Sequence, residues 1–139
     1  MTVATFSFLG IIVGAALQYF FSRHLDSLRT HRDSRTKAYT DYLRCVSEHA
    51  NSDQMRSSDG HELGARTADA KCRICLYGSS DAIAAFAQFE RLGATMSSPE
   101  QQTTFTQMVA IMRKDSTSSS NVALGDLQTV LLGVDRHAT

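Results

Sequence analysis

The sequence predicts an all-α protein, with an N-terminal transmembrane helix continuing into a small cytoplasmic helical bundle of four to five helices. Three observations carry that expectation. The stretch from Val3 to Phe21 is apolar and uncharged, and the first charged side chain is Arg23. Further on, apolar residues recur at i, i+3, i+4 and i+7, and no alternating strand pattern appears. Ala and Leu outnumber Val and Ile, and the only proline is Pro99, a mix that favours helices over sheets.

The first element is 19 residues long, or about 29 Å of helix. That length matches the roughly 30 Å hydrocarbon core of a bilayer. A core helix of a soluble protein would show a polar face, whereas this one offers only Thr5, Ser7 and Gln18. A cleavable signal peptide is the competing reading, with Val13-Gly14-Ala15 as the cleavage site. No Lys or Arg precedes the run, however, and the run is longer than the apolar part of such peptides. The division expected is a transmembrane helix over 1–22, a juxtamembrane helical stalk over 23–38 and a cytoplasmic bundle over 39–139.

Orientation follows from charge. Arg23, Arg29, Arg32, Arg35 and Lys37 all follow the span, and no basic residue precedes it. Basic flanks stay on the cytoplasmic side, which puts the N-terminus outside and the rest inside a cell membrane crossed once. These five residues are expected to set topology, the second reading being that they hold the stalk close to anionic lipid headgroups, and Tyr19, Phe20 and Phe21 sit where an aromatic belt belongs. Within the span, Ser7, Gly10, Gly14 and Gln18 fall inside an arc of about 80°, and Leu25 and Leu28 continue that face. Small residues let two helices approach closely, and Gln18 can hydrogen-bond across the contact. The face points to a homo-oligomer or a partner membrane protein.

Beyond the stalk, Tyr39, Tyr42, Leu43 and Val46 restore a helical stripe. "NSDQMRSSDG" reads as a linker rich in Ser and Asp. A second helix is expected over His61–Tyr77, carrying Leu63, Thr67, Ala70, Ile74 and Tyr77 and stopped by Gly78. Ser80 and Asp81 offer the N-cap of a third, with Ile83, Phe86, Phe89 and Leu92, ending near Gly93. A fourth starts with Ser98 as N-cap, Pro99 at the first position and Gln101 closing a capping box, followed by Phe105, Met108, Val109 and Met112. "KDSTSSSN" reads as a polar loop, and a last helix carries Leu124, Leu127, Val130, Leu131 and Val134.

The search for chemistry yields little. Fourteen basic residues balance fourteen acidic ones, so nothing pulls the chain toward nucleic acid. Three cysteines without regular spacing argue against a disulfide framework. Cys72 and Cys75 form a CxxC near an expected helix end and lack the further ligands a zinc site requires, so they read as core or half-buried cysteines. Five histidines share no motif, and no nucleophile elbow, phosphate loop or HExxH occurs. No catalytic, cofactor-binding or metal-binding residue is assigned, and no small-molecule substrate is implied. A concave polar pocket near Arg73 and Tyr77 would favour an enzyme.

In "GAALQYFFSRHLDSLRTHRDSRTKAYTDYL", "AKCRICLYGSSDAIAAF" and "MRKDS", the chain resembles an uncharacterised class of small bacterial single-span membrane proteins with a cytoplasmic helical domain. The resemblance implies that architecture over nearly the whole chain and brings no activity with it. It also implies that small residues are tolerated at Cys72. The shared feature it suggests is a helix–turn–helix joint at Arg73, Tyr77, Gly78 and Ser79, with Arg and Tyr packed across the turn. The function expected is that of a non-enzymatic, membrane-anchored interaction or scaffold protein, self-associating in the bilayer. The alternative is a membrane-acting pore-forming effector assembled through its single span.

Overall fold

The computed structural model describes the backbone of residues 2–51, 58–117 and 122–133, and the side chains of 13–50, 60–117 and 122–133. Among the described residues there are five helices and no strand: α1 (Thr2–Asn51), α2 (Ser58–Tyr77), α3 (Ser80–Arg91), α4 (Pro99–Thr117) and α5 (Leu124–Leu132). The chain divides into two compact units, Met1–Ser34 and Arg35–Thr139.

The first unit is built from α1. Val13, Leu17, Phe20, Phe21, Leu25 and Leu28 are each more than half exposed. At the helical repeat of 100° per residue these six fall within an arc of about 140°, and Gly14 lies inside it. Tyr19 points the opposite way, and its hydroxyl accepts a hydrogen bond from Arg23 Nη1 at 3.4 Å. Among the described residues no helix is long and apolar enough to cross a membrane. The expected span begins at Val3, and the side chains of its first ten residues, Ser7 and Gly10 included, lie outside the described ones.

The second unit begins at Arg35, four residues before the expected start of the bundle, because Arg35 and Ala38 already belong to it. Its core draws on four helices: Ala38, Tyr39 and Tyr42 of α1, Ala70 and Ile74 of α2, Ala82, Phe86 and Phe89 of α3, and Phe105, Met108, Val109 and Met112 of α4. Two aromatic pairs lock it together. Tyr42 meets Phe86 edge to face at 4.9 Å between centroids, and Phe89 meets Phe105 at 5.3 Å. The two buried threonines, Thr104 and Thr106, return their hydroxyls to the carbonyls of Glu100 and Gln102, so neither leaves a polar atom stranded.

The ends of the helices show why the chain turns where it does. Ser79 caps α3, its Oγ accepting from Ala82 N at 3.3 Å, one residue earlier than the expected Ser80. The capping box of α4 forms as expected. Ser98 Oγ accepts from Gln101 N at 3.3 Å, and Gln101 Oε1 accepts from Ser98 N at 3.1 Å. Gln101 Nε2 also donates to Leu92 O at 2.6 Å, which ties the α3–α4 connection to the helix that follows it.

Three expectations are corrected. The "KDST" segment is the last turn of α4 and not a loop, because Asp115 is held by partners elsewhere in the bundle. Of the Ser/Asp-rich segment read as a linker, Asn51 belongs to α1 and Ser58 to Gly60 belong to α2. α5 buries none of its residues fully: Val130 is 82% exposed, Leu124 and Leu131 are a little over a third exposed, and its contribution to the core is the half-buried Leu132. Val134 lies outside the described residues.

Candidate functional site

The second unit carries a polar joint. Arg35, on α1, donates from Nε to Tyr77 O at 2.8 Å and from Nη1 to Asp115 Oδ1 at 2.7 Å. One turn further along α1, the Tyr39 hydroxyl donates to Asp115 Oδ2 at 2.6 Å and accepts from Ser79 N at 3.3 Å. Asp115 thus engages a guanidinium and a phenol, one on each oxygen, and both reach back to the Tyr77–Ser79 turn between α2 and α3. Gly78 completes the fit. A Cβ there would stand 2.6 Å from Ile74 O and 3.3 Å from the Tyr39 hydroxyl.

The electrostatics match this geometry. Burial raises the Tyr39 pKa and its bond to Asp115 raises it further, to about 12. Burial alone would raise Asp115. Hydrogen bonds from Tyr39 and Ser79, with the charge of Arg35, outweigh it and hold the carboxyl below its ordinary value. The phenol therefore stays protonated and the carboxylate ionised through the neutral range. That arrangement makes a strong structural clasp and leaves no proton poised for transfer near neutrality.

A second polar group lies between α1 and α2. Arg73 binds Asp41 Oδ2 at 2.8 Å and Asp69 Oδ2 at 2.7 Å, and Arg66 makes a two-pronged contact with Glu48 at 2.9 and 3.0 Å. A cleft of about 160 Å³ opens here, lined by Asp41, Arg44, Cys45, Arg66, Asp69 and Arg73. It is concave and polar, the kind of feature that would favour an enzyme, and Tyr77 does not line it. Its carboxylates face arginines, and Arg66 and Arg73 are held more firmly protonated by the acids beside them. Burial alone would lower Arg73, but the bonds to Asp41 and Asp69 prevail. What the cleft offers is charge pairing.

The joint suggested by the resemblance exists, but different side chains make it. The Arg and Tyr that reach the Tyr77–Ser79 turn are Arg35 and Tyr39, while Arg73 is committed to Asp41 and Asp69. Each of the three stretches that carry the resemblance contributes: Arg35 and Tyr39 from the first, Tyr77 to Ser79 from the second and Asp115 from the third. Sequence reasoning missed Asp115 altogether.

Of the residues expected to act in the membrane, Gly14 and Gln18 are exposed on α1. A Cβ on Gly14 would meet nothing within 4 Å. Ser7 and Gly10 lie outside the described side chains. Among the basic residues, Arg23, Arg29, Arg32 and Lys37 are exposed. Arg35 differs from them, because its guanidinium is engaged inside the bundle. The cysteines need a correction as well. Cys45 is buried, but Cys72 and Cys75 are exposed on α2 and belong to no core. Among the described residues no group of three or more His, Cys, Asp or Glu is placed to hold a metal ion. No family model, no curated protein and no solved structure matches the chain.

Proposed function

We propose that the protein is a membrane-anchored scaffold, whose N-terminal helix lodges in the bilayer and self-associates, and whose bundle presents a surface to partner proteins on the cytoplasmic side. The observation that carries this reading is the apolar arc of α1. Six large side chains from Val13 to Leu28 are exposed on one helix face, and contiguous exposed apolar surface of that kind belongs against lipid or another protein. The uncharged run that starts at Val3 and the basic residues after Phe21 make lipid the fitting environment for its first part. Gly14 interrupts the arc with open space above it, which suits the close approach of a second helix. The five-residue basic flank then holds the chain to one side of the membrane.

The test is chemical cross-linking of the full chain in proteoliposomes, together with release of an entrapped dye. The scaffold reading expects cross-linked oligomers, a severalfold loss of them in Gly14→Leu, and vesicles that stay sealed. The new leucine has free space in the single chain, so a loss of cross-linking reports on the contact between chains and not on misfolding. Cross-linking unaffected by Gly14→Leu would remove the proposed contact. Dye release by the native chain would replace the scaffold with a pore.

A further inference from the structure

Cys72 and Cys75 stand three residues apart on α2, and both are exposed, whereas Cys45 is buried at 2%. Residues at i and i+3 of a helix lie one above the other, with Cβ atoms about 5–6 Å apart. Rotation about χ1 brings two such thiols within bonding distance of one small ion. The neighbouring surface leaves them open. Ala65 and Ala68 on the same face are exposed and short, and Leu76, beside Cys75, is 73% exposed. The charged neighbours are occupied elsewhere, Lys71 by Glu90 at 2.8 Å and Arg73 by Asp41 and Asp69. Among the described residues these ion pairs keep the neighbouring charges away from the sulfurs.

We propose that Cys72 and Cys75 form a two-thiol site for soft, low-coordinate thiophilic species, with trivalent arsenicals as the best-fitting class. Soft centres prefer sulfur ligands, and a trivalent arsenical carrying one carbon substituent is satisfied by two thiolates. Zinc is a poor fit, since it takes four ligands in a structural site and no cluster of three or more candidate ligands exists among the described residues. The reaction balances without an oxidant. An organoarsenous acid, R–As(OH)2, exchanges both hydroxyls for the two sulfurs; two As–O bonds break, two As–S bonds form, and the thiol protons leave with the hydroxyls as two waters. Arsenic stays trivalent. The site stands independently of the scaffold reading, because it needs only the folded α2.

The probe is phenylarsine oxide, added to the reduced full-length chain in detergent and followed by intact mass, with competition from a monothiol and a dithiol. The wild type is expected to take up one equivalent, resistant to the monothiol and displaced by the dithiol. Cys72→Ser and Cys75→Ser should each weaken retention by about a hundredfold, the advantage that a second, tethered ligand confers. Both positions are exposed, so these variants keep the fold, and Cys45→Ser should still hold the arsenical. Native-state alkylation should mark Cys72 and Cys75 quickly and Cys45 slowly. Retention that survives loss of either exposed cysteine would overturn the proposal, as would an adduct that depends on Cys45 or forms only in urea.

Discussion

α1 contains two regions that differ in how they treat apolar side chains. Between Val13 and Leu28 the large ones stay exposed, with Phe21 at 67%. Between Arg35 and Val46 the corresponding positions are buried, with Ala38, Tyr39, Tyr42 and Cys45 at 3% or less. The helical backbone is common to both, so local propensity is not what separates them. The difference is whether a partner is present. In the second region α2, α3 and α4 supply aromatic and aliphatic surface, together with a carboxylate and a backbone carbonyl for the polar groups. The first region leaves a contiguous apolar helix face exposed, and the proposed anchor rests on that surface.

That contrast predicts where the fold is sensitive. The largest effect belongs to Tyr42, buried against Phe86 at the centre of the α1–α3 packing. Tyr42→Ala should lower the unfolding free energy of the bundle by about 3–5 kcal/mol, measured by urea denaturation in detergent; a loss below about 1 kcal/mol would mean that α1 is not a core helix. Asp115→Ala comes next. It removes the acceptor of Arg35 Nη1 and of the Tyr39 hydroxyl, and about 2–4 kcal/mol should be lost. The linkage has a definite sign. The folded carboxyl is held below its ordinary value, so its stabilisation is fully present above that ordinary value and is lost as the pH falls through the folded one. Acid unfolding curves of wild type and Asp115→Ala should therefore converge at low pH; curves that stay parallel would rule out this clasp.

How much of this was legible in the sequence depends on how local the cause is. The Ser98–Pro99–Gln101 start of α4 is a contact over three residues, and it forms as read. The stripes through Ile74, Phe86, Phe89 and Met108 follow from helical repeat alone, and those residues are buried. Asp115 is different. It sits in a run of polar residues that resembles a loop, and its partners are 76 and 80 positions away in sequence. Arg35 could not be told from the four basic residues near it, because charge count does not record which guanidinium finds a carboxylate. Cys72 and Cys75 are close to the buried Ile74 in sequence yet lie about 160° and 100° around the helix from it, and only the assembled bundle shows which face is outward.

Smaller effects sharpen the contrast. Gly78→Ala places a methyl group 2.6 Å from a backbone oxygen, and the turn must shift to admit it. A cost of about 1–3 kcal/mol is expected, and an unchanged melting temperature would show that the turn has slack. Phe21→Ala, in the exposed region, should change the unfolding free energy of the bundle by less than about 0.5 kcal/mol. A larger loss would show that the exposed arc contributes to the fold of the single chain.

The most direct test of the central claim is where the full-length chain goes when cells are broken and the membranes are washed with alkaline carbonate. A helix anchored in lipid keeps the protein in the membrane pellet, with the bundle degraded by protease only from the cytoplasmic face. A full-length chain recovered in the supernatant would contradict the account.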